Sequence, residues 1–228
     1  MDVDMSIHSE CSERVYKNTG NLPLLELLGS MAPGRALDCG CGAGDNARIL
    51  SLRGWEVDAI TISPDEQLTA SQICKSVYIA NLESGIPPEI QGGYNLVVMS
   101  HVLEHLRNPT RLLEDAKRLL APDAILAVAL PNVLNWRYRF RFLAGRFDYE
   151  EEGIMDSTHL RFYSFASGKR LLESNGYLIS TATVEGAFPL ARRAGLPSSF
   201  AAALDRFVSI YWPGLFGWQL LYLAHVWK

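Results

Sequence analysis

Arg35-Ala36-Leu37-Asp38-Cys39-Gly40-Cys41-Gly42-Ala43-Gly44-Asp45 is the stretch whose reading decides the fold. A short apolar run, bounded by Pro33-Gly34 before it and a glycine cluster after it, reads as a buried strand, and Asp45 to Arg53 then carries a helical pattern. Glycines at such a strand-to-helix turn let backbone N–H groups and the helix N-terminus approach a polar or anionic group without interference from Cβ. The dinucleotide fingerprint G-x-G-x-x-G fits Gly40 and Gly42, but its third glycine falls on Asp45 and no acid closes the second strand. A purely structural tight turn accounts for one glycine more easily than for Gly40, Gly42 and Gly44 together.

The same alternation continues on both sides of a central parallel core. Trp55 to Ile62, Ser76 to Ala80, Tyr94 to Ser100 and Ala124 to Leu130 read as strands, and Pro109 to Leu120 repeats leucine at helical spacing. The run Asn95-Leu96-Val97-Val98-Met99 is apolar on both faces, as a parallel sheet covered by helices requires. After Pro131 the pattern breaks, resumes with a helix over Phe165 to Ser174 and a strand over Tyr177 to Val184, and breaks again from Ala187 to Gly217. The expectation is one α/β domain over residues 1–228. Its parts are a helical cap over 1–34, a cofactor-binding core over 35–130, and insertions over 131–163 and 187–217 after the fifth and sixth strands. Loops at the carboxyl ends of such strands form the ligand crevice, so both insertions are expected on the substrate side.

Composition sets the outer limits. The chain has 228 residues, 48% apolar and 20% charged, which is ordinary for a globular protein. A net charge of −4 gives no electrostatic reason to expect nucleic acid as a partner. Met1 to Glu10 has no apolar core segment of a secretory signal, so a cytoplasmic location is expected. Cys11, Cys39, Cys41 and Cys74 have no disulfide-framework or zinc spacing and read as reduced. Phe207 to Trp227 contains no charged residue, a length that fits a membrane span. Pro213, Gly214, Gly217, Gln219 and His225 argue against one, and Gln219 to Trp227 is needed as a last strand. Phe207 to Phe216 is left to line an apolar acceptor pocket or to touch a membrane surface.

Taken with Tyr94-Asn95-Leu96-Val97-Val98-Met99-Ser100-His101-Val102-Leu103-Glu104-His105, the glycine stretch resembles the class I S-adenosylmethionine-dependent methyltransferases, in the branch with quinone-biosynthesis O-methyltransferases and other small-molecule enzymes. The resemblance implies a doubly wound, mostly parallel seven-stranded sheet with its last strand antiparallel. It also implies S-adenosylmethionine as cofactor, with Gly40, Gly42 and Gly44 at the methionine part, Asp38 toward its amino group, and Ser100 at the end of the fourth strand. Thr61 stands where the family has an acid for the ribose hydroxyls, so either cofactor affinity is lower or Ser63 or Asp65 compensates. Asn81 stands where an aspartate usually meets the adenine amino group, and Leu82 would pack on the ring.

His101, Glu104 and His105 spell the H-x-x-E-H of a zinc protease, but a protease motif lies inside a helix and this one begins where a strand ends. In the related quinone enzymes an acid at position 101 joins the Glu-His pair in binding a divalent cation; His101 departs from that, so a metal stays open as one reading while none is counted among the expected site residues. Glu104 and His105 read either as loop stabilisers or, for His105, as a general base. Asp156-Ser157-Thr158-His159-Leu160-Arg161-Phe162-Tyr163 resembles a stretch that recurs in this branch, with His159 the better base and Asp156 orienting it or pairing with it structurally. In the first insertion a helix capped by Asn135 and ended by Gly145 places Arg137 and Arg141 at i and i+4, read as a clamp for an anionic acceptor group or as solvated charges on a lid. Asp156 and Tyr163 complete the expected acceptor contacts. The acceptor is expected to be a small molecule, lipid- or sugar-linked, methylated on oxygen or nitrogen. The other reading is a non-catalytic protein that binds a partner through the arginine-aromatic insertion.

Overall fold

A computed structural model describes residues 19–186 and 198–227. Strands β1 (Arg35–Cys39), β2 (Glu56–Thr61), β3 (Ser76–Ile79), β4 (Tyr94–Ser100), β5 (Leu120–Pro131), β6 (Tyr177–Gly186) and β7 (Gly217–Val226) form one sheet in the order β3-β2-β1-β4-β5-β7-β6. Every neighbouring pair from β3 to β5 is parallel, while β7 runs antiparallel between β5 and β6. This is the expected sheet, including its last strand.

The central strands explain themselves. In β4, Val97 and Met99 face one apolar cluster with Leu112, Leu113 and Leu126, while Leu96 and Val98 face the other with Leu50 and Val57. A strand buried on both faces cannot alternate apolar with polar residues, and this one does not. Helix α1 (Leu22–Glu26), helix α2 (Asp45–Leu52) and helix α3 (Pro64–Ala70) lie on the early part of the chain, α2 starting directly from Gly44 in the left-handed region at φ 88°. Helix α4 (Pro109–Leu119) buries Leu112, Leu113, Ala116 and Leu119 on the first cluster, the face its leucine spacing predicts.

Two departures have local causes. Strand β5 begins at Leu120, four residues before the expected start, because Asp123 adopts φ 61° and the register shifts between Tyr94↔Leu120 and Leu96↔Ile125. The first insertion holds helix α5 (Trp136–Leu143), capped by Asn135, whose side chain accepts from the Arg137 N–H at 3.1 Å; none of its residues is buried. Helix α6 (Phe165–Ser174) opens with a Ser164 capping box. The second insertion contributes helix α7 (Ser198–Tyr211) and a single turn, α8 (Pro213–Phe216). Most of the expected amino-terminal cap and the first part of the second insertion, residues 187–197, lie outside the described residues. Among those described, no helix is long and apolar enough to cross a membrane; the uncharged stretch is the end of α7, α8 and β7.

Candidate active site

A cavity of about 740 Å³ opens at the carboxyl ends of β1 to β5 and the start of β7. Its floor is the β1–α2 turn. Gly40 and Gly42 line it at φ 75° and 53°. A Cβ on Gly40 would come within 2.6 Å of Val102 Cγ2, so this turn tolerates no side chain. Two residues before Gly40, Asp38 is fully buried and neither of its carboxylate oxygens has a hydrogen-bond partner. Burial, with Asp45 adding to it, raises its pKa to about 7. An orphaned carboxylate behind a glycine cradle is what a cationic amino group would satisfy.

The wall beyond the turn comes from the ends of β2 and β3. Thr61 lines the cavity and its hydroxyl donates to Glu66 Oε2. Glu66, buried in the first turn of α3, also lines the cavity, so the acid absent from the strand end arrives five residues later. Ser63 caps α3, its hydroxyl accepting from Glu66 N–H, and Asp65 is exposed; neither is the compensating group. Asn81 and Leu82 line the adjoining surface. Asn81 Oδ1 accepts from Glu83 N–H at 2.9 Å, and a second lone pair of that oxygen remains.

The opposite end is built by the turn after β4 and the strip Asp156 to Arg161. Leu160 N–H and Arg161 N–H both donate to the Glu104 carbonyl, at 2.9 and 3.0 Å, and the Arg161 Nε–H donates to the Leu106 and Arg107 carbonyls. These bonds lock two distant segments together and bring His105 within 4.7 Å of His159, centroid to centroid. Both rings and Asp156 line the cavity. His101, at φ 57°, donates through Nδ1 to Glu104 Oε1 (3.2 Å) and through Nε2 to Gln219 Oε1 (2.9 Å). Burial would raise the pKa of Glu104, but the hydrogen bond from His101 and the neighbouring imidazoles outweigh it and hold it below the ordinary range. Ser100 lines the cavity and its hydroxyl accepts from Asn21 Nδ2, whose other hydrogen bond goes to Gln219.

Three residues expected at the acceptor stand elsewhere. Arg141 pairs with Glu150, and Arg137 stacks 4.6 Å over the Trp218 ring, so it meets the cavity only through that indole. Tyr163 forms a parallel bridge with Asn132 and is packed into the core. Helix α5 turns these two arginines onto an acid and an indole. Among the described residues no Lys or Arg lines the cavity. Phe207, Ile210, Tyr211 and Trp212 are exposed and do not line it either.

Comparison with known proteins fits this arrangement. A methyltransferase domain family model matches residues 16–181. The ubiquinone biosynthesis O-methyltransferase of Chromobacterium violaceum is 27% identical over 117 residues, 46% of this chain and 47% of that one. The chain thus aligns with about half the length of such relatives. A SAM-dependent methyltransferase structure from Archaeoglobus fulgidus superposes with a TM-score of 0.61 at 18% identity, covering 98% of this chain and 99% of the other. One from Methanosarcina mazei gives 0.62 at 16% identity, over 92% and 100%. The sheet order, the glycine cradle and the match over most of the chain together place this protein in the methyltransferase domain family.

Proposed function

We propose that the chain transfers a methyl group from S-adenosylmethionine to an oxygen, or a nitrogen, of a small-molecule acceptor. The observation that carries this is a single cavity with two unlike ends: a glycine cradle with an orphaned carboxylate and a buried acid at one, a pair of imidazoles at the other. S-Adenosylmethionine supplies the methyl group, which leaves its sulfonium sulfur as the acceptor's lone pair bonds to carbon. The turn Gly40 to Gly42 with Asp38 and Asp45 would hold the amino-acid part, Glu66 and Thr61 the ribose hydroxyls, and Asn81 and Leu82 the adenine. Gly44 serves by letting the backbone turn into α2, and Ser100 by tying Asn21 to the carboxyl end of β4.

The chain's remaining task is to align the acceptor and exclude water. A hydroxyl acceptor must also lose a proton. Its wall is His105 and His159, each with Nδ1 engaged and Nε2 available, and His159 is assigned as the proton acceptor. That the relatives are O-methyltransferases of ubiquinone biosynthesis supports oxygen as the methylated atom. With Arg137 and Arg141 held elsewhere, and no Lys or Arg lining the cavity among the described residues, an uncharged reacting end is favoured over an anionic one. The test is transfer of labelled methyl across phenols, sugars, lipid-linked alcohols and amines. Label on a hydroxyl acceptor is expected; turnover only with carboxylate or phosphate acceptors would overturn the assignment.

A further inference from the structure

Residues 19–23 line the cavity beside Gly40 and Gly42. They are seated on the start of α2: Gly20, at φ 77°, packs so closely that a Cβ would fall 2.5 Å from Ile49 Cδ1 and 3.1 Å from the Asp45 carbonyl oxygen. Apolar anchoring begins only after this strap, at Leu24 and Leu25, which are buried in the cluster that holds Leu50 and Val57. None of residues 19–23 is buried. Across the cavity the strap is held by Asn21.

The Asn21 backbone N–H donates to Asn46 Oδ1 at 2.7 Å. Its side-chain Oδ1 accepts the Leu24 N–H at 3.2 Å, and because a backbone N–H can only donate, this fixes which way the amide points. The two Nδ2 hydrogens then go to Ser100 Oγ at 3.0 Å and to Gln219 Oε1 at 2.8 Å. Gln219 is fixed in turn: its Oε1 takes the His101 Nε2–H as a second donor, and its Nε2 gives its two hydrogens to Asn21 Oδ1 and Glu185 Oε2. Both side chains line the cavity, yet every hydrogen and lone pair of the two amides is engaged within the protein. They have nothing left to offer a ligand, so their work there is to fasten.

We propose that residues 19–23 form a gate over the glycine end of the cavity, with Asn21 as its latch and Gln219 as the catch on β7. The strap is the part that moves, because it has no buried residue, while the chain behind it is anchored by Leu24 and Leu25 and the catch belongs to the sheet. Opening exchanges the latch's hydrogen bonds for bonds to water, and each one lost shifts the opening equilibrium by about 2- to 13-fold. What passes the gate rests on the methyl-transfer reading: the latched strap covers the amino-acid part of S-adenosylmethionine, so entry and exit both wait on the release of Asn21. The catch also holds His101, so the strap and the acceptor wall share one amide.

Hydrogen exchange on the full-length protein without ligand reads the gate itself. Gln219→Ala removes the catch and its two bonds to Asn21; Asn21→Asp keeps the oxygen that caps α1 and removes the two donors. Gln219→Ala is expected to lower protection of the residue 21 amide by at least about 5-fold, and Asn21→Asp to lower it as well, with the amides of β1 and β4 unchanged. Protection of the strap unchanged in both variants, or a loss that spreads through β4, overturns the gate. Stopped-flow binding of S-adenosylmethionine follows in the same proteins. Association and dissociation should both quicken by at least about 5-fold, since a latch delays passage either way; faster dissociation alone makes Asn21 a support for the bound cofactor and overturns the gate. Strap protection that depends on Gln219 in a protein that binds no S-adenosylmethionine supports the gate and overturns the methyl-transfer reading, and cofactor binding with strap protection indifferent to Gln219 and Asn21 does the reverse.

Discussion

Replacing Glu66 by glutamine isolates the residue that supplies the missing acid. Glu66 is 3% exposed, sits in the first turn of α3, and accepts the Thr61 hydroxyl. Glutamine keeps the shape and one acceptor oxygen, so Thr61 retains a partner and the melting temperature should hardly move. What is lost is a charged acceptor shared by two ribose hydroxyls. A hydrogen bond to a charged group contributes about 1.5–3 kcal/mol, which is roughly a 10- to 150-fold rise in the dissociation constant of S-adenosylmethionine. Calorimetric titration reads this directly, and turnover at saturating cofactor should stay near the parent's. An analogue lacking the ribose 2′-hydroxyl closes a cycle: it should bind the parent weakly and lose less on Glu66→Gln. An affinity within about twofold of the parent's, where the loss of such a bond predicts tenfold or more, would mean that Glu66 does not meet the ribose and that the β2 end is misassigned.

Asp38 makes a pH-dependent contribution with a definite sign. Its pKa is raised from 3.8 to about 7, so between those values the native state keeps a proton that the unfolded chain releases. Stability from this group is therefore greatest below about pH 4, falls as pH rises toward 7, and is level above that. Asp38→Asn should lack this slope and melt above the parent at about pH 8, a comparison for calorimetry; parallel curves would refute it. Gly40→Ala forces a side chain into φ 75° and against Val102. Left-handed strain of about 1–2 kcal/mol and overpacking of about 1–3 should lower the melting temperature markedly, with Val102→Ala restoring only part. His159→Ala should cut turnover by about 100-fold or more with cofactor affinity unchanged; turnover within a few-fold of the parent would remove His159 from the chemistry.

What could be read from sequence was what local pattern determines. β1 and β4 are doubly apolar runs between glycine or proline punctuation, so their limits are plain, and α6 announces itself through Ser164 and Ser167. The last strand was found by elimination, since an antiparallel strand inserted between β5 and β6 leaves no periodic trace. Glu66 was hidden because Ser63-Pro64-Asp65-Glu66 looks like a capping box, whose acid ordinarily turns back to the cap; here it turns to Thr61. The pairing of Arg141 has no sequence signature because its partner, Glu150, lies beyond the helix, where spacing rules say nothing. The Asn21, Gln219 and His101 network joins residues up to 198 positions apart and has no sequence signature. Asp156 was read as an acceptor contact or a support for His159; through Thr158 it fixes His105.

The central claim is that one cavity binds S-adenosylmethionine at its glycine end. Calorimetric titration of the full-length protein with S-adenosylmethionine and with its demethylated product tests this most directly. The account predicts saturable, equimolar binding of both, weakened in parallel by Glu66→Gln. Failure of both compounds to bind, or binding indifferent to Glu66, would contradict it.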